Sequence, residues 1–308
     1  MSAPRVPAKS LSSTSEAPGT AGRGILFMLG AVFVFSGANA LVKWAAATYP
    51  VGEIAFFRNA AALVPCAMLL AAYGGPTLLR THRPLSHLFR SGIGVVSMLA
   101  IYYAFAALPI AEATALSFAG PLFMTALAVP MLGEKVGVYR WTAVVVGFAG
   151  VLVITRPGRE LFNLGALAAL LSAFSYALAM ISVRQMSRTE HPVTIVVYFH
   201  FIGTAAMGLL LPFGWVTPDW IGLAALVGVG LAGGIGQYLQ TQAFRFTPAA
   251  VLGPFNYASI VLAGLFGYFI WDEVPTGHAL AGSAIVVASG LVIIYRETVR
   301  RRQAARKS

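Results

Sequence analysis

A chain of 308 residues could form one large or two ordinary soluble domains, but this one is 58% hydrophobic, 10% charged and has a mean hydropathy of +0.79. Soluble domains carry roughly a quarter charged residues, so a soluble fold is excluded and an integral membrane protein is implied. The net charge of +11 would point to nucleic acid in a soluble chain. Here the basic residues lie mostly in short loops and tails, where they set topology, so the lipid bilayer is the expected partner and nucleic acid is not.

Residues 1–23, rich in Ser, Ala, Pro and Gly, read as a disordered cytoplasmic tail with no signal-peptide core. A helix needs about 20 mostly apolar residues to cross a bilayer. On that measure ten spans follow, at 25–46, 51–73, 89–107, 110–131, 139–155, 164–183, 193–213, 220–241, 249–271 and 278–295. Short loops punctuated by Pro or Gly make sequential helices antiparallel neighbours. The eighth span carries Gly230, Gly233, Gly234 and Gly236, which weaken a helix. A basic tail, 296–308, closes the chain. The single Cys66 provides neither a disulfide nor a cysteine metal site.

Lys and Arg orient the spans. With both termini cytoplasmic, the outer half keeps Lys43, Arg58, Arg156 and Arg159, and the remaining basic residues, Arg90 among them, fall inside. The reverse topology would invert that bias.

One stretch occurs twice. Residues 109–154 and 248–294 each read as an apolar run, an acidic turn and a second apolar run, with Pro109 matching Pro248 and Glu134 matching Glu273. Lys43 likewise matches Arg184, and Arg58 matches His200. Five spans per half put the second half upside down relative to the first. The expected fold is therefore all-α, ten transmembrane helices as two inverted five-helix repeats, 24–155 and 164–295, with a binding site near the midplane between them.

The pattern ALPIAEATALSFAGPLF with Glu134 eleven residues on, its weaker copy ending at Glu273, and ALVKW…YPVGEIAFFRN at 40–59 resemble the paired EamA repeats of the drug/metabolite transporter superfamily. The resemblance implies a ten-helix bacterial inner-membrane carrier of small metabolites. Riboflavin transporters, S-adenosylmethionine uptake carriers and aromatic amino acid exporters share the layout. In one respect the copies differ: Ile260 stands where the first has Pro121, so a proline break at that position is expected in one half alone.

Ionisable groups cost about 2.5–3.5 kcal/mol each at mid-helix, which makes them site candidates. Lys43, Glu53, Arg58 and Glu112 fall in outer segments, where they could cancel as a network lining a vestibule; the plainer reading is that Arg58 pairs with Glu53 or Glu112 to fix packing. His200 is the inner-half mate of Arg58. A lone membrane histidine more often bonds a backbone carbonyl. Among uncharged groups, Asn39 shares a face with Lys43, Ser117 and Asn256 are equivalent positions, as are Phe118 and Tyr257, and Gln237 and Gln240 share a face of span eight. Tyr102 and Tyr103 offer rings with a hydroxyl. Interhelical hydrogen bonding would explain all of these without a ligand. Glu134 and Glu273 read as hairpin anchors capping the helix that follows each.

No nucleotide-binding loop, metalloprotease motif or nucleophile elbow is present. The expected function is secondary transport of a small molecule by alternating access, with no cofactor, riboflavin or a similar aromatic metabolite being preferred over an amino acid or S-adenosylmethionine. A lipid-modifying membrane enzyme is the alternative of another class. A homodimer is one oligomeric option.

Overall fold

The computed structural model describes residues 20–133, 136–155, 163–187, 189–247 and 249–305. Its helices are α1 (Thr20–Ala45), α2 (Val51–Tyr73), α3 (Pro84–Ala107), α4 (Ile110–Ser117), α5 (Gly120–Leu132), α6 (Val138–Thr155), α7 (Leu164–Met186), α8 (Pro192–Leu210), α9 (Trp220–Phe246), α10 (Ala249–Leu252), α11 (Ala258–Trp271) and α12 (Gly277–Ala305). Among the described residues ten segments are long and apolar enough to cross a membrane, α4 with α5 forming one of them. The protein is a multi-pass membrane protein. An even number of crossings puts the start of α1 and the end of α12 on one face, called here the terminal face.

Most spans begin and end within a few residues of the expected positions, and the exceptions have local causes. Pro84 occupies the first turn of α3, where its missing N–H costs nothing, so the helix starts five residues before the expected limit at 89 and carries Arg90 in its second turn rather than at its tip. α12 runs on through the basic tail to Ala305, because Arg, Gln and Ala favour helix once the chain leaves lipid. The run of glycines does not break α9. They are contact positions: a Cβ on Gly230 would lie 2.8 Å from the Arg58 carbonyl oxygen, one on Gly234 2.7 Å from Pro65, and one on Gly236 2.7 Å from Phe35. Small residues let backbones approach closely where lipid supplies no hydrophobic drive.

The helices pair in a twofold pattern. α1 packs on α9 and α7 on α3; α2 packs on α8, α4 on α11, and α6 on α12. Numbered by position within each half, these are first-with-third contacts made twice and self-mates made three times. The halves are thus interleaved about a pseudo-twofold axis. The α6–α12 crossing shows how close the approach is: a Cβ on Gly150 would lie 2.9 Å from the Gly282 carbonyl oxygen, and one on Gly282 2.7 Å from that of Gly150.

Both halves have an interrupted fourth span. In the first, α4 stops at Ser117 and α5 resumes at Gly120. In the second, a 3₁₀ turn at Gly253–Tyr257 separates α10 from α11. The expectation of a one-sided break is corrected: the second half lacks a counterpart of Pro121 but has Pro254 in its own 3₁₀ turn, and a proline without an N–H releases the helical ladder there too.

Candidate substrate-binding site

Interrupted spans leave backbone groups and side chains at membrane depth to be satisfied by neighbours. At the first interruption the Ser117 hydroxyl donates to the Thr114 carbonyl at 2.6 Å. The rings of Phe118 and Tyr257, equivalent positions in the two halves, lie 4.7 Å apart at an interplanar angle of 32°. Asn256 stands beside Tyr257, partly buried. The Tyr257 hydroxyl fills the space a Cβ would need at Gly290.

A second pair of equivalent residues, Arg58 of α2 and His200 of α8, also converges on the axis. His200 Nδ1 lies 3.0 Å from Asn59 Oδ1, and Asn59 Nδ2 donates to the Ala55 carbonyl at 2.8 Å. That network orients the imidazole. The Arg58 guanidinium lies 3.3 Å from Met98 Sδ and reaches the Tyr102 hydroxyl. From the other direction comes Arg90 of α3, its guanidinium carbon over the Phe199 ring, 4.1 Å from the centroid. Arg58, Arg90 and His200 all lie within electrostatic reach of one another, and Tyr176 stands near Arg90. Arg58 lies about 10 Å from the start of α2 and Arg90 about 9 Å from the start of α3, at 1.5 Å rise per residue. They approach the middle from opposite faces.

The vestibule network expected of Lys43, Glu53, Arg58 and Glu112 does not form as drawn. Lys43 Nζ pairs with Glu273 Oε1 at 2.6 Å and donates to the Leu108 carbonyl at 2.6 Å. Glu273 Oε2 accepts from the Ile110 amide at 3.0 Å, so Glu273 caps α4 of the other half rather than α12, the helix that follows it. Helix N-termini carry partial positive charge, and the inverted packing brings α4 closer than the chain does. Glu53 is engaged by the Val216 amide at 3.0 Å, while its other oxygen is buried without a hydrogen bond. Glu112 is partly buried, one turn into α4. These contacts tie the face opposite the termini. Glu134, the other expected anchor, lies outside the described residues.

The terminal face has a different tie. Glu190 accepts from the Thr81 hydroxyl at 3.0 Å and lies 3.5 Å from His87 Nε2. The His87 ring sits 4.4 Å from that of Tyr198, whose hydroxyl donates to the Leu79 carbonyl at 2.9 Å.

The remaining candidates separate. Asn39 is partly buried on the face of α1 that leads to Lys43. Tyr102 is buried beside Arg58, whereas Tyr103, one residue on and 100° round the helix, is 43% exposed. Gln237 is exposed and Gln240 partly buried, the Thr241 hydroxyl turning back on the Gln237 carbonyl at 2.7 Å. An apolar groove of about 570 Å³ lies between α1, α9 and α11, lined by residues such as Gly37, Trp44, Ile221 and Phe266. It lacks the polar groups that orient a metabolite and is read as a lipid-facing cleft.

Sequence reading placed Arg90 at the inner edge of the span 89–107 and counted it with the cytoplasmic basic residues, so it was missed as a site candidate. A signal existed: His87, Arg90, Ser91, Gly94 and Ser97 recur at helical spacing, and His87, Arg90, Ser91 and Ser97 are all buried.

Comparison with known proteins agrees with this architecture. The model of the EamA-like transporter family matches residues 22–156 and again 163–295. The chain is 32% identical over 276 residues to the pseudopaline exporter CntI of Pseudomonas aeruginosa, covering 88% of this chain and 95% of that one. It is 31% identical over 249 residues to the S-adenosylmethionine uptake transporter of Rickettsia bellii, covering 80% and 84%. To the riboflavin transporter of Rhizobium johnstonii it is 30% identical over 302 residues, covering 96% and 100%. A crystal structure at 22% identity superposes with a TM-score of 0.63 over 87% of this chain and 96% of the other, a likeness of fold.

Proposed function

Because the chain belongs to the EamA-like transporter family and is a small-metabolite transporter, we propose that it works as a secondary carrier by alternating access in a bacterial inner membrane. The observation that carries this reading is the twofold pairing of interleaved halves, with separate polar ties at the two faces. In such an arrangement one tie holds while the other opens, and the centre stays between them. Both termini face the cytoplasm, since Lys and Arg concentrate on the loops of the terminal face.

The substrate binds at the axis, among Arg58, Tyr102, His200, Phe118, Tyr257 and Asn256, and carries a flat ring. Support for the ring comes from the aromatic side chains that flank the polar centre: Tyr102, Phe199 and the tilted Phe118–Tyr257 pair. Riboflavin, S-adenosylmethionine and the aromatic amino acids form the natural test panel. The full-length protein in proteoliposomes preloaded with unlabelled compound should accumulate the labelled form of at least one of them by counterflow. No movement of any compound, in either direction, would overturn the carrier reading.

A further inference from the structure

Arg90 is the most anomalous residue in the membrane interior. Its side chain is 92% buried by its 8% exposure, and neither Nε nor one terminal nitrogen has a hydrogen-bond partner. The adjacent Ser91 hydroxyl is fully buried and also unsatisfied. Buried polar groups are nearly always paired, and a guanidinium presents five donors in a fixed fork. The groups that surround it deepen the anomaly. Arg58 repels it, the neutral Tyr176 hydroxyl stands nearby, and His200 shares the same positive field. The Lys43–Glu273 ion pair and the 3.5 Å approach of Glu190 to His87 Nε2 lie toward the two faces. Two arginines thus enter from opposite faces and converge, and neither takes part in the ion pairs seen among the described residues.

Packing holds the fork in place rather than letting it escape. The guanidinium carbon lies over the Phe199 ring, 4.1 Å from its centroid. A Cβ on Gly94 would come within 2.7 Å of the same ring and 3.5 Å of the Arg90 terminal nitrogen, so a glycine keeps that space open. Across the axis, Gly230 abuts the Arg58 backbone. Such pre-set donors suit a planar carboxylate or a phosphate, which accept two parallel N–H bonds from one arginine.

Resting on the carrier reading above, we propose that the transported metabolite is an organic anion whose carboxylate or phosphate is clamped between Arg90 and Arg58, with its ring against the aromatic side chains. Because Arg58 comes from the half-span next to one face and Arg90 from that next to the other, the anion touches both approaches at once. It also neutralises a repulsion that the empty protein retains. Arg90 thereby becomes the principal specificity determinant: a neutral analogue leaves its donors unpaired, which is how polar sites reject isosteres.

The test uses matched probes: riboflavin against riboflavin 5′-phosphate, and indole-3-acetamide against indole-3-acetate. With the full-length protein in phosphatidylcholine nanodiscs, the anionic member of at least one pair should bind ten-fold or more tightly and raise the melting temperature. Arg90→Gln and, separately, Arg58→Gln should erase that preference. Without ligand, Arg90→Gln should melt at or above the parent temperature, since it removes an unpaired buried charge. A fall of more than about 5 °C in ligand-free Arg90→Gln marks a structural arginine and overturns the proposal. So does equal binding of neutral and anionic members, or failure of every probe to bind. If inorganic phosphate alone gives the full shift, or the shift appears only after adding phosphatidylglycerol, the site holds a counter-ion or a lipid headgroup and the proposal falls. Counterflow separates the two readings: movement without charge preference keeps the carrier and removes the anion site, while charge-selective binding without movement does the reverse.

Discussion

Lys43 and Glu273 illustrate how little a single charged residue reveals until its neighbours are known. Lys43 lies in the last turn of α1 and Glu273 in the turn that follows α11, and in sequence each has nearer partners than the other. The inverted packing nevertheless sets them 2.6 Å apart, with side chains only 10% and 21% exposed. Removing one member of a buried, hydrogen-bonded pair leaves the other uncompensated. Glu273→Gln or Lys43→Met alone should therefore lower the melting temperature of the detergent-solubilised protein, and the double change should recover part of the loss. The coupling expected from a double-mutant cycle is about 1–3 kcal/mol. Additive losses would show that the two residues act separately. Lys43 as a site candidate and Glu273 as a hairpin anchor were both legible in the sequence, but their pairing was not, because it depends on which helix ends the fold brings together.

At the scale of elements, the two interrupted spans and the glycine crossings matter most. Pro254 creates the 3₁₀ turn that sets Tyr257 against Phe118. Pro254→Ala should let helical hydrogen bonds run through 253–257 and so slow transport in the counterflow assay while expression and melting temperature hold or rise. Unchanged transport would remove the turn from the mechanism. At the α6–α12 crossing, Gly150→Leu should force the backbones apart. Overpacking of this kind costs about 1–3 kcal/mol, readable as a lower melting temperature; a neutral result would mean the crossing relaxes freely. The glycines of α9 show why propensity alone misleads. In water they would weaken a helix, but in this bundle they are the surface against which α2 and α1 close, and Gly230 fixes the backbone from which Arg58 projects.

For the whole molecule, the proposed orientation is testable with the chain's own chemistry, because Cys66 is its one cysteine. On a Cys66→Ser background, Thr217→Cys should react with a membrane-impermeant maleimide added outside intact cells, and Thr81→Cys only after the cells are opened. The opposite result would invert the assigned topology. Both arginines belong to the first half, Arg58 on α2 and Arg90 on α3, and because consecutive spans run antiparallel they approach one centre from opposite faces.

The sequence by itself determined the solvent, the number of spans, the inverted duplication and most of the helix limits. Those follow from apolar length, charge bias and local breakers, which act within a few residues. The sequence also singled out Arg58, His200, Phe118 and Tyr257 as equivalent pairs, since equivalence is a matter of register. The capping of a helix of the other half by Glu273, the continuity of α9, the break in both fourth spans and the approach of Arg90 to Arg58 became visible in the folded chain alone. Those outcomes depend on contacts between segments far apart in the chain. In lipid such contacts are set by close backbone approach and by the need to satisfy every buried polar group, and neither can be read from one segment at a time.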